Sequence, residues 1–226
     1  MTLKLVLFDV DGTLVDSQAQ IMAAMTHAFE AENLAAPDRA AVRGIIGLSL
    51  SNAIGRLAPE VAPSGVERLV ERYKDAYVAQ RVIGGGESAS PLYPGALHAL
   101  EALSQQDSVL LGVATGKSMR GLKHLFDAYD LARFFVTIQV ADNHPSKPHP
   151  SMVLAALSET GVDAKDAVIL GDTSFDMEMG KAGGVHRLGV AWGYHDPNAL
   201  REAGATRVLE SYAELLPALD QIWRLP

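Results

Sequence analysis

The stretch LVLFDVDGT at residues 5–13 places four apolar residues directly before two aspartates and a glycine. A short continuous apolar run that stops at polar residues is typical of a strand buried on both faces of a parallel sheet. Similar runs follow at residues 109–114, 135–140, 167–170 and 187–190, and helical patterns fill the intervals between them. Strands that alternate with helices imply right-handed crossovers. The sequence therefore predicts a layered α/β fold.

Only helical patterns occur between the first two predicted strands, over about seventy residues, which is too long for one crossover helix in a compact domain. The segment SQAQ at residues 17–20 reads as a capping box that opens one amphipathic helix, and SGVE at residues 64–67 opens another. The segment GGGES at residues 84–88 reads as a hinge back into the sheet. We therefore expect a helical domain at residues 17–87, inserted into a core formed by residues 1–16 and 88–226.

Composition limits the classes of function. The 226 residues are 48% hydrophobic and 20% charged, as in an ordinary globular protein. The formal charge of −8 argues against nucleic acid or an anionic membrane as a partner, because either requires a basic patch. The absence of cysteine excludes disulfides, a thiol nucleophile and thiolate metal sites. The apolar run at the start stops at Asp9 without a cleavage site, and no apolar stretch approaches the length of a membrane span, so we expect a cytoplasmic protein.

Polar residues follow several of the predicted strands. Asp9 and Asp11 come directly after the first strand, where open α/β sheets place their ligand crevice. Taken alone, an Asp-x-Asp-Gly segment is equally well explained as a polar turn. Three further polar segments lie where strand ends or nearby loops are expected: TGKS at residues 115–118, SKPHP at 146–150 and GDTSFD at 171–176. Together these segments supply two carboxylate pairs, a hydroxyl and an ammonium, a set suited to moving a phosphoryl group.

The acidic residues suit a magnesium site. A phosphate dianion repels a carboxylate nucleophile, so a divalent cation and a positive side chain have to neutralise charge before the atoms approach. Asp9, Asp172 and Asp176 offer the hard oxygen ligands that Mg²⁺ prefers. Without a cation the three carboxylates would repel one another. We therefore predict Mg²⁺ as the cofactor.

The remaining candidates divide the other tasks. Lys147 is expected to lie against the transferring oxygens, and Thr115 and the Gly116 amide to donate hydrogen bonds to them. Asp11 suits a general acid and base, which protonates the departing oxygen and then activates water. A metal on Asp9 would keep that carboxyl ionised and leave Asp11 to carry the proton.

These residues resemble, in their order along the chain, the four motifs of the haloacid dehalogenase superfamily: DVDGTLVDS at 9–17, Thr115, Lys147 with Pro148, and GDTSFD at 171–176. The helical insert after the first motif is similar to the cap domain of the phosphoglycolate phosphatase group. The resemblance implies a Rossmann-like, doubly wound core, a mobile helical cap and magnesium-dependent hydrolysis of a small phosphate monoester. The expected partner is a small phosphorylated metabolite such as 2-phosphoglycolate, bound by a monomer or homodimer.

The resemblance also assigns roles by position. It implies that Asp9 is nucleophile and metal ligand, and that Asp11 is acid and base with its backbone carbonyl on the metal. Thr115 and Lys147 become phosphate contacts, Asp172 a direct metal ligand, and Asp176 a support for the metal or its waters. The founding dehalogenases lack the second aspartate, so its presence here argues for phosphate chemistry.

Two positions bear on the substrate. Many phosphoglycolate phosphatases carry asparagine where this chain has Gly116, which leaves the amide contact available but puts the named substrate in doubt. Arg43, in the expected cap, is a candidate substrate contact.

Two other functions remain open at this point. A sugar phosphomutase of the same superfamily shares the aspartate pair, although residues 18–28 lack the His-x-x-Ala-Trp pattern seen early in the cap of such enzymes. A phosphorylatable signalling receiver also combines an acidic pocket with a threonine and a lysine, but it is shorter and places its phosphorylated aspartate later.

Overall fold

The computed structural model describes residues 2–84 and 90–224. The strands form where the sequence has short apolar runs, since β-branched and aliphatic side chains pack well on both faces of a covered sheet. Within the described residues the strands are β1 (Lys4–Phe8), β2 (Val109–Thr115), β3 (Thr137–Val140), β4 (Ala167–Gly171), β5 (His186–Val190) and β6 (Arg207–Leu209).

These strands form one parallel sheet in the order β3-β2-β1-β4-β5-β6. Strand β1 is central, and its Leu7 pairs with Gly112 of β2 on one side and Ile169 of β4 on the other. The strand order reverses between β1 and β4, and open sheets of this kind form a ligand crevice at the carboxyl ends of the strands at that point. The predicted doubly wound parallel sheet is therefore confirmed.

All five predicted strands are present, with one shift and one omission. Strand β3 begins at Thr137 rather than at residue 135, because the chain leaves a 3-10 turn there and Phe135 stacks on Phe126 of a neighbouring helix, with ring centroids 5.2 Å apart. Strand β6 was not predicted. It has three residues, of which only Leu209 is buried, so its apolar signal is weak.

Helices cover both faces of the sheet. Val6 and Phe8 face a hydrophobic cluster that includes the helices at residues 96–104, 119–129 and 215–224. Leu5 and Leu7 face a second cluster, which includes the helices at residues 151–160 and 174–182. None of the helices, over the described residues, has the length and apolar character needed to cross a membrane. The helices that follow residue 90 are α5 (Ala96–Ser104), α6 (Met119–Tyr129), α7 (Ser151–Thr160), α8 (Ser174–Ala182), α9 (Pro197–Glu202) and α10 (Leu215–Arg224).

Four helices lie between β1 and β2 before residue 85, and they share a hydrophobic cluster to which Phe175 and Tyr194 of the later chain also belong. The capping box predicted at residues 17–20 is wrong: Ser17 precedes the first helix but its hydroxyl makes no cap bond, because it donates to Asp11 instead. Of the predicted hinge at residues 84–88, residues 85–88 lie outside the described residues. The four helices are α1 (Gln18–Ala31), α2 (Arg39–Arg43), α3 (Leu50–Leu57) and α4 (Pro63–Gly84).

Candidate active site

Three aspartates meet at the carboxyl ends of the two strands where the strand order reverses. Asp9 follows β1, Asp172 follows β4, and Asp176 lies in the first turn of α8. One carboxylate oxygen from each lies within 4.8 Å of the others, and all three side chains are buried. The structure thus brings together residues that are far apart in sequence.

A buried lysine lies among these carboxylates. Lys147 Nζ is 2.6 Å from Asp176 Oδ1 and 3.0 Å from Asp9 Oδ2, and the side chain is only 2% exposed. Burial works against the charged ammonium, but the carboxylates of Asp176 and Asp9 outweigh it and raise the pKa of Lys147 well above its usual range. A protonated lysine therefore balances part of the negative charge in this cluster.

One ammonium does not balance three carboxylates. Burial raises the pKa of Asp9 to about 7 although Lys147 opposes the shift, and repulsion from Asp176 adds to it. Burial also raises the pKa of Asp172, together with repulsion from Asp9 and Asp176. Asp9 Oδ2 is buried and accepts no hydrogen bond from the described residues. Lys147 Nζ lies 3.0 Å from it as an ion pair, but the angles are not those of a hydrogen bond. A buried carboxylate oxygen without a hydrogen bond, in a cluster of three carboxylates and one ammonium, fits a hard divalent cation.

The chain fixes Asp172 from both sides. Its Oδ1 accepts a hydrogen bond from Thr13 Oγ1 at 3.0 Å, and its Oδ2 accepts one from the Tyr194 amide at 2.9 Å. Gly12 passes so close, at a φ of 84°, that an added Cβ would lie 2.1 Å from Asp172 Oδ2. The glycine of the first motif is therefore required both by backbone conformation and by contact with the fourth motif.

Asp176 is held by a capping box at the start of α8. The Thr173 amide and hydroxyl donate to Asp176 Oδ2 at 3.1 and 2.6 Å, while Lys147 donates to Oδ1. Both oxygens of Asp176 thus already accept hydrogen bonds, which leaves it fewer lone pairs for a cation than Asp9 has.

Asp11 points away from this cluster and has different partners. Its two oxygens accept hydrogen bonds from Lys117 Nζ at 2.7 and 2.9 Å, and Ser17 Oγ donates to Oδ1 at 2.6 Å. Lys117 Nζ also lies 3.3 Å from the Tyr77 hydroxyl of α4. Sequence reasoning missed Lys117. The only signal was its place two residues after Thr115, which becomes informative once β2 is known to pair with β1.

Thr115 and Gly116 lie at the end of β2, beside the aspartates. Thr115 is buried, and its hydroxyl accepts a hydrogen bond from the Lys117 amide at 3.2 Å. An added Cβ on Gly116 would lie 2.5 Å from the carbonyl oxygen of Gly47 and 2.7 Å from that of Leu48. Gly116 therefore allows the loop before α3 to approach the end of β2.

A cavity of about 560 Å³ lies between helices α1, α3 and α4 and the ends of β1 and β2, with Asp9, Asp11 and Thr115 in its lining. Arg43 is not among the lining residues. Its Nη2 donates to the carbonyl oxygens of Gly193 and Tyr194 at 3.3 and 2.8 Å. Arg43 therefore ties α2 to a core loop, and its contact with substrate stays a prediction.

Comparison with known proteins agrees with this geometry. A family model described as haloacid dehalogenase-like hydrolase matches residues 6–190. The probable phosphatase IndB of Dickeya dadantii is 34% identical over 224 residues, which cover 98% of this chain and 95% of that protein. Phosphoglycolate phosphatase 1 of Pseudomonas aeruginosa is 29% identical over 225 residues, covering 96% and 80%. The crystal structure of a hydrolase from Pseudomonas syringae superposes with a TM-score of 0.84 at 28% identity, covering 97% and 99%.

Proposed function

The chain belongs to the haloacid dehalogenase-like hydrolase family and is a phosphatase, and we propose that it hydrolyses a small phosphate monoester through an aspartyl-phosphate on Asp9, with Mg²⁺ as cofactor. The observation that carries the proposal is the cluster of Asp9, Asp172 and Asp176, in which Asp9 Oδ2 is buried without a hydrogen bond. Phosphoglycolate phosphatases among the relatives support a small phosphorylated metabolite as substrate.

The metal would be held by oxygens of Asp9 and Asp172, with Asp176 supporting it. When bound, Mg²⁺ neutralises charge on the phosphate and so permits a carboxylate to approach. Lys147, fixed by Asp176 beside Asp9, adds a second positive charge at the same place. Thr115 and the Gly116 amide, at the end of β2, donate hydrogen bonds to the phosphate oxygens.

Asp9 and Asp11 divide the chemistry. A carboxylate oxygen of Asp9 forms a bond to phosphorus as the ester P–O bond breaks, and the Asp11 carboxyl gives its proton to the departing oxygen. Asp11 then takes a proton from water, which attacks phosphorus and releases inorganic phosphate and free Asp9. Lys117 and Ser17 position Asp11 for both transfers through their hydrogen bonds to it.

Residues 17–87 act as a cap on a core of residues 1–16 and 88–226. The hydrophobic cluster of α1–α4, which the core contacts through Phe175 and Tyr194, supports this division, and so does the cavity between α1, α3 and α4 and the ends of β1 and β2. The cap excludes water from the phosphoryl group, which strengthens the electrostatic interactions there.

Phosphate release from phosphate monoesters, with Mg²⁺ or with chelator, tests the proposal. We expect turnover that requires Mg²⁺ and is lost in Asp9→Asn, because an amide is a poor nucleophile and a poor metal ligand. Asp127→Asn is the matched control, since Asp127 pairs with Lys123 on the exposed face of α6. Full activity in chelator or in Asp9→Asn would overturn the proposal. A single phosphorylation by acetyl phosphate without turnover would indicate a receiver, and isomerisation of a sugar phosphate with little phosphate release would indicate a mutase.

A further inference from the structure

The cavity above the aspartates is larger than the smallest phosphate esters require. Its volume of about 560 Å³ is in the range of pockets that bind drug-sized ligands. A molecule such as 2-phosphoglycolate has only two carbons beyond its phosphate. Much of the cavity therefore faces the leaving group of the ester.

The wall opposite the phosphate end is mainly apolar. Helices α1, α3 and α4 and the loop before α3 contribute aliphatic side chains to it, among them Met25, Ile46, Leu50 and Val70. Two tyrosines of α4 complete this wall: Tyr73 and Tyr77 stack with ring centroids 5.7 Å apart and an angle of 25° between the rings. Tyr73 stacks on the Tyr77 ring and Lys117 Nζ lies 5.3 Å from the centre of that ring, so a flat, apolar leaving group matches this wall by its apolar area.

The cations that line the cavity are poorly placed for a second anionic group. Lys117 is paired with Asp11, and Lys74 is half exposed and paired with Glu71 at 2.7 Å. Arg120, at the start of α6, is exposed, so water and salt screen its charge. A carboxylate moved from water into this wall would lose hydration without gaining a buried partner.

Gly116 removes one further polar group from the site. A larger residue cannot fit at this position, because the Gly47 and Leu48 carbonyl oxygens occupy the space of its Cβ. The position therefore offers substrate a backbone amide and no side-chain donor.

We propose that this phosphatase selects phosphate monoesters whose leaving group has an apolar, ring-like face, and that it discriminates against 2-phosphoglycolate. The inference rests on the proposed function, since it concerns the leaving group of the same ester. The apolar wall binds the ring, whereas a carboxylate that enters the wall loses its hydration.

Three primary alkyl esters test this proposal: ethyl phosphate, 2-phenylethyl phosphate and 2-phosphoglycolate. The esters share an O–CH2 group, which carries a methyl, a benzyl or a carboxylate group respectively. Their relative kcat/KM values at saturating Mg²⁺ therefore measure how well the wall accepts each of these groups. We expect kcat/KM for 2-phenylethyl phosphate to exceed that for ethyl phosphate by about tenfold to a hundredfold, the range for burying a phenyl group. We expect 2-phosphoglycolate to be no better than ethyl phosphate.

The outcomes separate this proposal from the proposed function. Tenfold preference for 2-phosphoglycolate, or values within about threefold for all three esters, would overturn the inference and leave the phosphatase in place. If no ester releases phosphate in a Mg²⁺-dependent reaction, both fail.

A charge placed in the wall gives a second test. Leu50 lines the cavity at the start of α3, whereas Leu57, at the other end of the same helix, does not. We expect Leu50→Lys to raise the ratio of kcat/KM for 2-phosphoglycolate to that for 2-phenylethyl phosphate at least tenfold, because an ammonium then meets the carboxylate. Leu57→Lys is the matched control and should keep the wild-type ratio. An unchanged ratio in Leu50→Lys would overturn the assignment of this wall.

Discussion

Removing the positive charge of Lys147 should destabilise the metal-free protein strongly. Lys147 Nζ lies 2.6 and 3.0 Å from two buried carboxylates, and Lys147→Met keeps the unbranched side chain while it removes the charge. Breaking a buried ion pair from one side costs about 3–5 kcal/mol. In a chain of 226 residues, one kcal/mol corresponds to about 2–4 °C in Tm, so we expect a loss of roughly 6–20 °C.

Circular dichroism melts in chelator at pH 7 measure this loss. Lys123→Met is the control, because the Lys123–Asp127 pair is mostly exposed and such pairs contribute about 0–1 kcal/mol. Mg²⁺ should restore part of the loss by replacing the missing charge, up to about 2.7 kcal/mol at a hundred times its Kd. If Lys147→Met melts in chelator at the temperature of Lys123→Met, the buried charge cluster described here does not exist in solution.

Three further predictions follow from the same site. The Asp9 pKa is about 7 in the folded protein and about 3.9 in an unfolded chain, so its contribution to stability is full below pH 4 and is lost as pH rises through 7. Tm in chelator should therefore fall from pH 5 to 8, and it should fall less with Mg²⁺. A rise in Tm over this range would contradict the burial of Asp9. Asp11→Asn should slow phosphate release by about 10²–10⁴ without changing the circular dichroism spectrum, and wild-type turnover would exclude its role in proton transfer. Gly116→Ala places a methyl group 2.5 Å from the Gly47 carbonyl oxygen, which should displace the loop before α3 and raise KM about tenfold or more. An unchanged KM would show that this loop does not lie against Gly116.

The fold was predictable where its strands are fully buried. β1 and β4 read as continuous apolar runs because helices cover both faces of the sheet, and their positions fix the crevice at their carboxyl ends. Strand β6 was not predicted, because a short edge strand needs few apolar residues and therefore gives a weak apolar signal in the sequence. The start of β3 was misplaced because aromatic stacking of Phe135 gives the same apolar signal as a strand.

The site was predictable where a residue type itself carries the chemistry. Asp9, Asp172 and Lys147 were identified because their segments together supply the carboxylates and the ammonium that phosphoryl transfer requires. Lys117 was missed because its partner, Asp11, is remote in sequence and only the β1–β2 pairing brings them together. The hydrogen bonds of Arg43 could not be predicted for the same reason, since the carbonyl groups that it binds belong to a distant core loop.

Trapping of the covalent intermediate tests the central claim most directly. The enzyme is quenched in acid during Mg²⁺-dependent turnover of a phosphate ester, digested and analysed by tandem mass spectrometry, with Asp9→Asn in parallel. We predict one phosphoryl group on Asp9, absent with chelator and absent in the variant. Steady turnover with no phosphorylated peptide, or a phosphoryl group on any other residue, would contradict the mechanism.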